Sequence, residues 1–442
     1  MNKNLNPDAV YDARTLGTPK MLILGLQHMF AMFGATVLVP TLTGLSVSAT
    51  LLFAGLGTLL FHLLTKKKVP AFLGSSFAFL GGYFTIAPGG DPNLLPYACF
   101  GVACAGLMYG LLSAAFKAFG VRKVMRFFPP IVTGPIIICV GLHLAPTAID
   151  SCMSNWGIAL VAVFVVIICN IWGKGMIKII PILLGVAASY LVAALTGNVD
   201  FSAVRDAAWI GLPVHFENTV FGLFASGHVD GSLLVTSIIT ILPISLATMV
   251  EHIGDICAIS STCGENFMEN PGFHRTLLGD GLATTLAALF GAPANTTYGE
   301  NTGVLNLTKV FDPRVIRIAA GFAILFSFCP KFSALIGAMP SATIGGVSLI
   351  LYGMIAAVGV RNVVENRVDF TNTRNVIIAA LILCLTIGIE FSAVGNVTLG
   401  RISLSGLAVA SIVGIALNAV LPGKDYEFEQ DDQGSTAVNF KV

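Results

Sequence analysis

Residues 66–88 read KKKVPAFLGSSFAFLGGYFTIAP, three lysines followed by a stretch that is apolar yet broken by glycine, serine and proline. The part from 71 to 88 is too short and too interrupted for an ordinary spanning helix, which needs about 20 apolar residues. A second stretch of this kind, rich in Gly, Ser, Thr and Asn, occupies 293–308. Whether these two stretches cross a membrane decides the architecture of the whole chain.

That a membrane is involved follows from composition. Of 442 residues, 55% are hydrophobic and only 11% charged, and the mean hydropathy is +0.85; soluble chains carry about 25% charged residues. Spread evenly, the 24 basic and 23 acidic residues would leave no twenty-residue apolar window. Twelve apolar windows of about this length nevertheless occur, near 20–41, 48–65, 94–116, 129–149, 155–173, 176–196, 232–256, 276–291, 314–337, 340–359, 374–393 and 402–421. The charges are therefore bunched into loops. This excludes a soluble enzyme, a disulfide scaffold, a disordered chain and a nucleic-acid binder. The nine cysteines are scattered, odd in number and without a C-x-x-C pair, so they read as small apolar residues. The first twenty residues are polar and lack a signal-peptide core, and the acidic stretch from Lys424 reads as a disordered tail.

If both irregular stretches cross, the chain has fourteen segments and 21 of 24 basic residues fall on one side, leaving Arg205, Lys331 and Arg401 on the other. If residues 71–88 do not cross, Lys66, Lys67 and Lys68 face away from Lys117, Arg122, Lys123 and Arg126, and the bias collapses. The positive-inside rule therefore predicts fourteen crossings with both termini cytoplasmic. The irregular stretches are then segments 3 and 10, seven apart. Segments 5 and 12 also open alike, Phe128-Pro129-Pro130-Ile131-Val132-Thr133-Gly134 against Met339-Pro340-Ser341-Ala342-Thr343-Ile344-Gly345. An odd repeat unit inserts its second copy upside down. Glycine-interrupted segments at matching places in two inverted halves point to a transporter's midplane site. The alternative is that segments 3 and 10 are re-entrant loops, which would still put polar backbone where a substrate could use it.

Five acidic residues fall inside predicted segments: Glu251, Asp255, Asp280, Glu300 and Glu390. Ionisable groups in a bilayer are costly and are functional candidates by default. Glu251 and Asp255 are four apart and share a helix face, and two carboxylates this close in a low dielectric should not both be charged, which suits a proton carrier. The competing reading puts them at a hydrated interface. Glu300, in Asn295-Thr296-Thr297-Tyr298-Gly299-Glu300-Asn301, stands where an extended stretch would give way to a half-helix, whose N-terminus favours negative charge. In segment 3, Gly74-Ser75-Ser76-Phe77-Ala78-Phe79 offers backbone donors and an aromatic face. Asp280 suits either a bond to backbone N–H groups of the broken segments or a proton relay. Glu390 ranks last, being near a segment end. His28, mid-segment beside Gln27, could bond across to another helix, whereas His62 and His143 read as structural. No metal cluster is visible, and Glu251 and His252 should point apart on a helix. Gly395 to Arg401 imitates P-loop glycine spacing but lacks the Lys-Ser/Thr ending, so transport would need an ion gradient.

Four stretches carry a resemblance: residues 27–40 (QHMFAMFGATVLVP), 73–79 (LGSSFAF), 295–301 (NTTYGEN) and 345–353 (GGVSLILYG). They resemble the bacterial uracil permeases of the nucleobase–ascorbate (nucleobase:cation symporter) transporter family, over about residues 20 to 420. The resemblance implies an all-α polytopic membrane protein of two inverted seven-segment repeats, with segments 3 and 10 broken by short strands. It implies a core domain from residues 20–128 (segments 1–4) and 232–337 (segments 8–11), and a gate domain from 129–231 (segments 5–7 and an outer loop) and 338–421 (segments 12–14). Residues 1–19 and 422–442 would be cytoplasmic. It further implies that Glu251 and Glu300 accept the N–H groups of uracil, that backbone N–H groups of Phe77 and Gly299 donate to its carbonyls, and that Tyr298 and Tyr352 line the pocket. Proton-coupling candidates are Glu251, Asp255, His28 and Asp280. One departure from the pattern is Asp255, where well-known uracil permeases can carry a His paired with the Glu one turn earlier. Glu251 is then expected to hold the proton when substrate is bound, with Asp255 disfavouring a second charge beside it.

The expected function is proton-coupled uracil import across the cytoplasmic membrane, with no cofactor, no nucleic acid and a homodimer as an option. Gly299-Glu300-Asn301 fits the uracil branch, since relatives that carry xanthine or urate tend to have Gln at this Glu. Alternatives are a symporter for purines or another oxopyrimidine, and an anion transporter of the same fold, against which the fixed carboxylate of Glu300 argues. A membrane-embedded hydrolase lacks a nucleophile–base pair or metal set, and a channel is disfavoured by a closed, base-sized site.

Overall fold

A computed structural model gives the protein's structure and describes residues 9–120, 123–124, 126–393, 395, 397–399, 402–423, 428–429 and 439–440. Arg122, Arg401, Lys424, Lys441 and part of the P-loop-like stretch lie outside the described residues. Helices dominate, because a backbone in hydrocarbon must satisfy its own N–H and C=O groups. In chain order they are α1 (Thr18–Thr43), α2 (Val47–Leu64), β1 (Leu73–Ser75), α3 (Leu80–Ile86), α4 (Leu95–Phe119), α5 (Pro130–His143), α6 (Ala145–Met153), α7 (Trp156–Ile171) and α8 (Pro181–Leu195). The second part contributes α9 (Gly231–Ile241), α10 (Ile244–Cys263), α11 (Phe273–Leu289), β2 (Asn295–Thr297), α12 (Gly299–Thr308), α13 (Pro313–Ser327), α14 (Pro330–Gly337), α15 (Ser341–Glu365), α16 (Thr373–Glu390) and α17 (Gly406–Val420).

Among the described residues, seven helices are long and apolar enough to cross a membrane, or eight if the bent pair α13–α14 counts as one. Phe164, Ile168, Leu191 and Leu195 are exposed on α7 and α8, a pattern a soluble fold avoids and a lipid-facing surface requires. The chain is a multi-pass membrane protein. Three apolar windows are less regular than their hydropathy suggests. The 314–337 window bends by 86° between α13 and α14, just before Pro330, which withholds a backbone donor. The 232–256 window is interrupted at Leu242 and Pro243 and its second helix runs on to Cys263. The 402–421 window begins as a short strand, Ile402–Leu404, paired with Val397–Leu399, before α17 starts.

Helices cross where small residues let backbones meet, since burying apolar side chains gains little against lipid. A Cβ added at Gly281 of α11 would lie 2.5 Å from the carbonyl oxygen of Gly106 on α4, and one at Gly359 of α15 would lie 2.6 Å from that of Gly134 on α5. The packing partners form matched sets: α4 against α11 and α2 against α13, α7 against α8 and α16 against α17, α15 against α7 and α5 against α16. In each set the second pair joins the elements that stand one half-chain away from the first.

Candidate functional site

The short strands form an antiparallel pair, with Leu73 opposite Thr297, Gly74 opposite Thr296 and Ser75 opposite Asn295. The ladder is extended at both ends, by Ser76 N–H to Ala294 O (2.8 Å) and Tyr298 N–H to Phe72 O (3.0 Å). Extended backbone has no internal partners, so buried side chains from the helices supply the rest. Thr58 of α2 accepts from Leu73 N–H (2.9 Å), Thr284 of α11 donates to Asn295 O (2.8 Å), and the Asn295 amide donates to Phe53 O (3.0 Å). Ser75 Oγ donates to Thr36 O on α1 (2.8 Å), and the Tyr298 hydroxyl donates to Ser75 O (2.7 Å). Glycine is required at Gly74, where a Cβ would meet Thr36 Oγ1 at 2.6 Å and the Tyr298 ring at 2.7 Å.

Because the strands are antiparallel, α3 and α12 leave from opposite ends of the ladder. Gly299 opens α12 and is exposed between buried Tyr298 and half-buried Glu300, with nothing within 4 Å of where a Cβ would sit. It faces open space. Glu300 lies in the first turn, where the unpaired N–H groups of the helix favour its negative charge. A cavity of about 510 Å³ reaches Glu300, lined also by Gly303 and Asn306 of α12, Ala31 of α1, Ile182 of α8 and Met354 of α15. Phe77, ahead of α3, meets Tyr352 of α15 edge to face, with ring centroids 5.8 Å apart and planes at 73°.

Glu251 and Asp255 are both half-buried on α10, and Asp255 accepts a 2.8 Å hydrogen bond from Thr297 of β2. His28 is wholly buried on α1. The Asn301 amide donates to its backbone carbonyl (3.1 Å) and lies 3.2 Å from its Nδ1, so His28 anchors the first turn of α12 beside Glu300. Asp280 is sealed with His252: Oδ2 and Nδ1 are 3.1 Å apart, both side chains wholly inaccessible, at ion-pair distance but off the line of a hydrogen bond. Its partner is thus an imidazole on the next helix rather than backbone N–H groups of the strands. Glu251 and His252 do face different surroundings, the first half-buried and the second fully enclosed. Glu390 stands at the end of α16, outside this cluster. Sequence reading missed Thr297, Asn301, Thr36 and the cavity-lining Gly303. Asn301 carried a signal, being adjacent to Glu300, whereas the role of Thr297 depends on a helix 42 residues away.

The packed helices thus enclose a buried strand pair, and just beyond it Glu300 opens onto a cavity. Among solved structures, the transmembrane domain of the cyanobacterial bicarbonate transporter BicA aligns with 92% of this chain and 98% of its own, at TM-score 0.57 and 16% identity. Murine Slc26a9, an anion transporter in its inward-facing state, aligns over 95% of this chain and 73% of its own at TM-score 0.59 and 12% identity. At such identities the likeness concerns the fold alone. A permease family model matches residues 19–395, and the chain belongs to that family, the nucleobase–ascorbate transporters. The uracil permease of Bacillus caldolyticus is 42% identical over 94% of both chains, and that of Bacillus subtilis (strain 168) is 40% identical over 95% of this chain and 97% of its own. These relatives are permeases, so the protein is a transporter rather than an enzyme.

Proposed function

We propose that the protein imports uracil across the cytoplasmic membrane by proton symport. The observation that carries this is the position of Glu300 on the cavity, at the N-terminus of α12 and near the α10 carboxylates, in a chain about 40% identical to uracil permeases over nearly its full length. Uracil is flat and neutral, with N–H donors alternating with carbonyl acceptors. Glu251 and Glu300 accept its N–H groups, the N–H groups of Phe77 and Gly299 donate to its carbonyls, and the Phe77–Tyr352 pair covers a ring face. A site built to pair with those groups rejects analogues that leave buried groups unmatched. Tyr298 shapes the pocket through its ring, since its hydroxyl is committed to Ser75. Glu251 carries the coupled proton, while Asp255, held by Thr297, disfavours a second charge beside it. His28 and Asp280 support coupling indirectly, by holding α12 and α10 in place.

The same reading has fourteen segments in two inverted halves, with α3 and α12 as half-helices of segments 3 and 10. The matched packing pairs and the self-symmetric β1–β2 register support it. Segments 1–4 and 8–11 then form the core that carries the site, segments 5–7 and 12–14 the gate, and both termini are cytoplasmic. The test is uptake of labelled uracil by proteoliposomes with and without an imposed pH gradient, acidic outside. The gradient is expected to accelerate uptake by the wild type and not by Glu251→Gln. Uptake that ignores the gradient in the wild type would refute symport.

A further inference from the structure

Residues 9–17 are tied to the far ends of the two helices that present the candidate carboxylates. Val10 bridges to Val310: its N–H donates to Lys309 O (2.8 Å) and its carbonyl accepts from Phe311 N–H (2.9 Å). Tyr11 sets its ring edge-on to Phe311, with centroids 5.5 Å apart, and its hydroxyl donates to Cys263 O (2.9 Å). Ala13 N–H donates to Asp312 Oδ2 (2.7 Å), and this buried carboxylate also caps α13 through Arg314 N–H (2.9 Å). Cys263 is the last residue of α10, and Lys309 caps α12 with a left-handed backbone. The carbonyls that these helix ends leave unpaired are therefore taken up by the N-terminal strap.

The bond between Thr297 and Asp255 already joins α10 to the strand that precedes α12. The strap adds a second brace about two turns farther along α10, so the two elements are held at two levels. α12 then acts as a lever. From Lys309 to Glu300 it spans about 13 Å at 1.5 Å per residue. A tilt of about 5° at the tethered end would move Glu300 by roughly 1 Å, enough to spoil a positioned contact.

We infer that Tyr11, Val10 and Asp312 are positioning residues for substrate binding: the strap sets the angle between α10 and α12, and so the spacing of Glu251 and Glu300. This rests on the uracil reading above. The test is the dependence of initial uptake on labelled uracil concentration in proteoliposomes, for the wild type, Tyr11→Phe, Val10→Pro and the two combined, normalised to reconstituted protein. Val10→Pro removes one donor, and Tyr11→Phe removes the hydroxyl while keeping the ring on Phe311. Each single variant loses one hydrogen bond and the combined variant two, so the combined variant is expected to raise KM at least about fivefold, the worth of one such bond, with Vmax per folded molecule retained. Arg14→Gln, which breaks only an exposed ion pair with Asp12, should leave KM unchanged. A merely structural strap would lower the amount of folded protein and leave KM where it was, and that result overturns the inference. If the combined variant does not insert, Tyr11→Phe alone decides, with an unchanged KM again overturning it. Absence of uracil uptake by the wild type would refute the substrate reading itself, a separate outcome.

Discussion

Replacing Glu300 by Gln probes the site with little change of shape. The side chain keeps its length and one acceptor oxygen but loses its charge, and its carboxylate faces a cavity of about 510 Å³ from the first turn of α12. A hydrogen bond to a charged group contributes about 1.5–3 kcal/mol and a neutral one about 0.5–1.5. The difference, about 1–1.5 kcal/mol, corresponds to roughly a tenfold change in affinity. The attraction between Glu300 and the helix dipole acts with or without substrate, so it cancels from binding, and its loss in the variant lowers only the stability of the protein, by about 0.3–1 kcal/mol. The Asn301–His28 bonds hold the half-helix in place in the variant. Glu300→Gln is therefore expected to raise KM for uracil about tenfold in proteoliposome uptake, with competition by xanthine measured in parallel. Glu390→Gln, at the end of α16 and away from the cluster, is the control and should leave KM unchanged. A KM for Glu300→Gln within twofold of the wild type would show that Glu300 does not bind the substrate.

Gly281→Ala forces a methyl group to within 2.5 Å of the Gly106 carbonyl, where backbone cannot yield, and should lower the unfolding temperature in detergent by an amount equivalent to about 1–3 kcal/mol. Gly321→Ala, with nothing within 4 Å, should leave it unchanged or slightly raised. The Asp12 carboxyl is held well below the usual carboxylate range, first by its hydrogen bonds from the Arg14 side chain. A depressed group of this kind stabilises the folded state above its unfolded pKa of about 3.9 and loses that contribution only as pH falls through its lower folded value. The uptake profile between pH 5 and 8 should therefore be identical for Asp12→Asn and the wild type; a shifted profile would show that the strap's charges titrate in that range.

Much of this architecture is local in origin and could be read directly. Gly74 and Ser75 and the Asn-Thr-Thr run at 295–297 are poor helix formers, and both places are strands. The helix that carries Glu251 and Asp255, α10, follows from the apolar window at 232–256, whereas the break at Leu242 and Pro243 and the continuation to Cys263 do not. The resemblance puts Phe77 and Tyr352 at one pocket but not in ring contact, and the pairing of Asp280 with His252 has no sequence signal, since it joins two helices whose approach is a matter of tertiary packing.

By itself, then, the amino-acid sequence determined the class of protein, the position of most helices and the few carboxylates placed among apolar residues. These depend on hydrophobicity, charge placement and backbone propensity, which act over a turn or a span. Only the tertiary structure decided what each polar group does. Thr297 reaches Asp255, Asn301 reaches His28 across 273 residues, and Tyr11 reaches Cys263 across 252. Buried polar groups in a membrane protein must find partners, but which partner lies within 3 Å is set by how the helices cross, a property of the whole packing that no local stretch contains.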